Sequence, residues 1–123
     1  MKLLALLLII TLGGCQNYNS NSADAGKYGP ADIDTSDVNF VKAYPIIQSR
    51  CISCHAHAGW SIYTSTELWV EQSGRVVVGN PAASPLINRI KNFGVGGDMP
   101  QNSGNLPAEE YQALVDWVTN IPP

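Results

Sequence analysis

Basic residues are scarce in this chain. Seven Lys and Arg stand against ten Asp and Glu, a formal charge of −3. A nucleic-acid partner wants a basic surface to neutralise phosphates, so that class has no electrostatic support. Long apolar runs are missing too. The aliphatic stretch at residues 3–12 is about half of the ~20 residues a spanning helix needs. No internal repeat recurs along the sequence, and the length suits one domain. Cysteine is limited to three residues, and methionine and histidine to two each, so a site built on them has few possible members.

The aliphatic stretch follows a positive start at Met1-Lys2, the pattern of an export signal rather than of folded structure. It ends in Leu12-Gly13-Gly14-Cys15, which resembles the lipobox of bacterial lipoproteins: an aliphatic residue, two small ones, then cysteine. That resemblance implies cleavage before Cys15 and lipid on its thiol and new amino terminus. It also implies a domain tethered to the bacterial envelope and facing the periplasm, with Gln16 favouring the outer membrane. The expected organisation is a signal peptide at 1–14, a lipid-anchored linker at 15–30 and a domain at 31–123. Loss of Lys2 with the signal takes the formal charge to −4. The linker is rich in Asn, Ser, Ala and Gly without apolar periodicity, and fifteen such residues reach roughly 20 Å as a flexible coil.

The domain reads as all-α, with three or four helices. A first helix is expected to start near Asp34–Asp37 and to run towards residue 50, with Val38, Val41, Tyr44 and Ile47 on one face. Pro45 either kinks this helix or starts a separate segment. Thr64 and Glu67 have capping-box spacing, which predicts a helix from about Ser65 to Ser73 closed by Gly74. Residues 75–78 are expected to be extended, and Gly79-Asn80-Pro81 to turn the chain. Ser84-Pro85 is an N-cap and N1 pair, with Leu86, Ile87 and Ile90 on the apolar side. Residues 93–105 form a loop that carries Met99. The last helix opens at Pro107 with Glu109 and Glu110 matching its dipole, and Leu106 and Tyr111 are placed as a hydrophobic staple. Its apolar face is Tyr111, Leu114, Val115 and Val118.

Cys51-Ile52-Ser53-Cys54-His55 is the stretch that carries chemistry. CxxCH is the pattern of covalent haem attachment: two thiols add to the two vinyl groups, and the histidine is delivered to iron. With Met1 removed, Met99 is the only methionine left. It lies 44 residues after His55 in a loop that can wrap to the opposite haem face, and Pro100 biases it to extended backbone. Met99 is therefore the expected distal ligand, with a soft core filler as the competing role. His57, the other histidine, is tethered to the proximal side and reads as a surface residue. A zinc site would have to take Cys51, Cys54, His55 and His57 from seven consecutive residues, whereas structural zinc sites usually join two separated pairs. Cysteine usage agrees: Cys15 goes to lipid, Cys51 and Cys54 to haem, and none remains.

Together with Pro45-Ile46-Ile47, Arg50, Gly79-Asn80-Pro81, Ser84-Pro85-Leu86-Ile87, Met99-Pro100 and the last helix, the motif resembles the class I c-type cytochromes, particularly small bacterial domains. The similarity runs through nearly all of residues 37–121. It implies a cytochrome c-like fold around one covalent haem c, with the first and last helices crossing through Ala43 and Ile47 on one side and Leu114 and Trp117 on the other. It implies one-electron transfer at a His55/Met99-ligated iron, no enzymatic turnover, a monomer, and membrane-associated redox proteins as donors and acceptors. Pro45 and the absence of a lysine-rich face depart from the mitochondrial pattern, so mitochondrial-type partners do not carry over. The other classes to weigh are an open distal site serving a gas sensor or peroxidase, for which Asp98 is the only nearby acid–base group, and a fixed subunit of a larger oxidoreductase. Trp60, Tyr63 and Trp69 are expected to pack, or to line the haem pocket and bond a propionate.

Overall fold

The computed structural model describes residues 33–91 and 97–123. The expected signal segment, Cys15, the linker and part of the 93–105 loop lie outside the described residues. Among the described residues the domain is all-α. Its extended pairing is an isolated parallel bridge between Ile90 and Met99. No described helix is long and apolar enough to cross a membrane.

Helix α1 (Val38–Ile47) begins where Asp37 caps it, its carboxylate accepting from the N–H groups of Asn39 at 2.9 Å and Phe40 at 3.1 Å. The choice that Pro45 posed is resolved: α1 passes through it unbroken to Ile47. The chain then widens into a π-helical turn at Gln48–Ile52 and re-forms as the single turn α2 (Ser53–His55). Pro45 has no N–H to give to the carbonyl four residues back, and it sits on the exposed side of α1.

The buried face of α1 differs from the expected one. Phe40, Ala43, Tyr44 and Ile47 are buried, while Val38 is 66% exposed. Two apolar registers coexist in this segment, and the one containing Phe40 removes a large aromatic surface from water. Capping fixes the same choice, because Asp37 must turn back over the first turn.

Helix α3 (Thr66–Glu71) starts one residue later than its capping-box spacing suggested. Ser65, not Thr64, is the N-cap, its Oγ accepting from the Leu68 N–H at 3.2 Å. The Thr64 carbonyl is already committed to the Asp34 N–H at 2.9 Å. After Gly74 (φ +63°) residues 75–77 form no regular element, Val78 and Gly79 turn the chain, and the Gly79 N–H donates to the Val118 carbonyl at 3.1 Å. Helix α4 (Pro85–Asn88) has Pro85 at its first position, but Ser84 does not cap it through its side chain. Buried Ser84 instead accepts from the Val77 N–H at 2.8 Å and donates to the Asn80 carbonyl at 2.8 Å, pinning the 77–80 turn.

Helix α5 (Ala108–Thr119) packs on α1. Ala43, Ile47, Leu114 and Trp117, the four residues expected at this crossing, are all buried. On α5 the fully covered positions are Leu114, Trp117 and Val118, with Tyr111 and Val115 at the margin. The Trp117 ring lies 5.3 Å from Phe40 and 6.2 Å from Trp69. Its Nε1 donates to Thr66 Oγ1 at 3.0 Å, and that hydroxyl donates to Asp37 Oδ2 at 2.7 Å. One relay thus joins α5, α3 and the cap of α1.

Thr66→Val keeps the shape of the side chain but strands the buried Trp117 N–H, a loss of about 1–3 kcal/mol. For a domain of this size, that lowers the melting temperature by roughly 4–8 °C per kcal/mol. A calorimetric melt that matches the unsubstituted protein contradicts the relay.

Candidate functional site

The motif lies on one continuous helical run. Cys51 is in the π-helical turn, and Cys54 and His55 are in α2. Residues three and four apart share a helix face, which places Cys54 and His55 on the side of Cys51. The run is anchored from outside by the residue just before it. Arg50 makes a two-pronged ion pair with Glu110 of α5, Nε to Oε2 and Nη2 to Oε1, each 2.8 Å. Planar guanidinium–carboxylate forks of this kind fix orientation as well as charge.

Cys51 is a free thiol. Burial pushes its pKa up to about 12, with the Arg50 charge a smaller opposing influence. The thiol is therefore neutral near pH 7, unlike the lowered-pKa cysteines of thiolate catalysis. Cys51 and Cys54 are not joined to each other.

The His55 ring stacks on Trp60 at 4.4 Å with 15° between the planes. Trp60 meets Trp69 edge-on at 5.3 Å, and Tyr63 lies 5.1 Å from Trp69. Burial lowers the His55 pKa, and the nearby His57 and Arg75 charges lower it further. This favours the neutral imidazole, the form that donates a lone pair to a metal. Trp69 is 0% exposed, and its Nε1 has no hydrogen-bond partner among the described residues. A buried indole N–H without an acceptor is costly, and a carboxylate reaching it would satisfy it.

Met99 sits on a separate element, half-buried beside the end of α4. Its N–H donates to the Arg89 carbonyl and its own carbonyl accepts from the Lys91 N–H, both at 2.9 Å. The extended backbone expected before Pro100 is present, and the Met99–Pro100 bond is cis. Asp98 is exposed and faces Arg89 at 4.0 Å. His57 is exposed, its ring parallel to His55 at 6.5 Å.

Among the described residues no cluster of three or more His, Cys, Asp or Glu is arranged to hold a metal ion, so a four-ligand zinc site is not assembled here. A cavity of about 530 Å³ lies between α1, α3 and the C-terminal residues, and neither the motif nor Met99 lines it.

No family model, curated protein or solved structure matches the chain. Three features of the site escaped the sequence reading. The partnership of Arg50 with Glu110 spans 60 residues and leaves no local signal. The same holds for Thr66 and Trp117, 51 apart. The unpartnered nitrogen of Trp69 emerges only from its surroundings.

In haem-free protein, Cys51 should react with iodoacetamide at pH 8 more than about 100-fold slower than in the denatured chain, whose thiol titrates near ~8.5. Equal rates, read by peptide mass spectrometry, contradict the buried-thiol environment.

Proposed function

We propose that this protein is a membrane-tethered electron carrier, a monohaem c-type cytochrome with haem c held by Cys51 and Cys54. His55 and Met99 would be the two iron ligands. The donor set fits the group: two cysteines and a histidine on one helical run, a histidine held largely neutral, and a thioether on a separate anchored element. The observation that carries the reading is the fully buried Trp69, whose unpartnered N–H lies one aromatic contact beyond the Trp60 ring that stacks on His55. Haem brings two carboxylates, and one of them would supply the missing acceptor.

When bound, the group supplies a one-electron couple. A histidine–methionine pair raises its potential relative to two nitrogen ligands. The remaining tasks belong to the chain. Arg50 and Glu110 fix the motif against α5, and Trp60 holds the His55 ring in plane. With His55 and Met99 both holding the iron, the proposed role would be electron transfer rather than catalysis. Lipid on Cys15 and the linker would keep the domain near membrane-associated redox partners. The domain's acidity suits docking faces with basic patches.

The test is the absorption spectrum of the exported protein, oxidised and reduced, in a host able to attach haem. The reading predicts a low-spin spectrum with the weak long-wavelength band of methionine bound to ferric iron. In Met99→Leu that band disappears and high-spin character rises, with haem still attached. A protein exported without haem would sink the proposal. High-spin haem in the unsubstituted chain would instead move ligand binding or peroxide chemistry to the front.

A further inference from the structure

We propose that Gly97 is the positioning residue for Met99, because there the loop backbone must lie directly against the chain leaving α4. The inference rests on Met99 as an iron ligand, as proposed above. A Cβ built on Gly97 would lie 2.2 Å from the Ile90 carbonyl oxygen, 2.7 Å from its carbon and 3.1 Å from the Lys91 nitrogen. All three are backbone atoms, so no side-chain rotation relieves the overlap. What Gly97 supplies is close approach, the second use of glycine.

The contact sits immediately before the ligand. Asp98 and Met99 both donate their N–H groups to the Arg89 carbonyl, at 3.0 and 2.9 Å, and the Lys91 N–H closes the ladder on the Met99 carbonyl at 2.9 Å. Beyond Met99, the Lys91 ammonium donates to the Ser103 carbonyl. The loop is thus held at three places, and the glycine contact determines how near the first two can come. Any side chain at position 97 must open the contact from 2.2 Å by more than about 1 Å to reach ordinary packing distance. A displacement of that size in a supporting element is enough to loosen a ligand.

The experiment compares the full exported holoprotein with Gly97→Ala and Gly104→Ala. A Cβ at Gly104 in the same loop meets nothing within 4 Å, so that variant is the control. Gly97→Ala is expected to lose half or more of the long-wavelength methionine–iron band. It should also bind added imidazole about tenfold more tightly, because the methionine-bound state that competes with it is less populated. Gly104→Ala should match the unsubstituted protein in both. A band and imidazole affinity unchanged in Gly97→Ala overturn the inference while leaving methionine ligation intact. A band absent from the unsubstituted protein overturns the ligation reading itself. Should Gly97→Ala fail to accumulate, amide exchange in the unsubstituted protein decides. The Met99 and Lys91 amides are expected to exchange at least ~100-fold slower than the exposed Asn102 amide, and equal rates would overturn the inference.

Discussion

Trp117 is the piece on which the rest of the domain depends. Its indole is fully buried where α5 packs on α1, with the Phe40 ring 5.3 Å away. Its single polar atom is satisfied through Thr66, and Thr66 in turn holds Asp37, which caps α1. Packing and hydrogen bonding therefore constrain the same three elements at once. A buried polar chain of this kind specifies one arrangement because every member has a partner. The contrast with Trp69 is informative. It is equally buried and 6.2 Å from Trp117, yet its nitrogen has none among the described residues.

That contrast connects the core to the proposed site. From Trp117 the aromatic contacts run through Trp69 and Trp60 to the His55 ring. The motif residues are thus built onto the same core that sets the helix crossing, rather than carried on a detached loop. Arg50 and Glu110 add a second tie between the motif and α5. A domain of this size buries a modest core, and a covalent haem, if present, would add a large apolar body to it.

Much of the fold was legible because local signals and burial agreed. The all-α character, the Pro85 start of α4 and the residues of the α1–α5 crossing follow from capping, proline placement and the resemblance drawn from the sequence. The errors arose where two local solutions compete. Residues 38–47 hold two apolar registers, and only the volume of Phe40 against Trp117 selects between them. Residues 64 and 65 can both cap a helix, and the choice falls to a long-range bond between the Thr64 carbonyl and Asp34. Ser84 resembles a cap in sequence, but its hydroxyl bridges the chain segments on either side of the turn instead. Of the site, the motif residues and Met99 were legible as chemistry. Their supports, Arg50 with Glu110 and Gly97 against Ile90, were not, because each depends on segments far apart or on backbone proximity.

The measurement that tests the central claim most directly is the mass of the exported protein, followed by mapping of the peptide spanning residues 51–55. The account predicts the added mass of one haem, carried on that peptide through both Cys51 and Cys54. A peptide with Cys51 and Cys54 both unmodified by haem, from a host able to attach it, would contradict it.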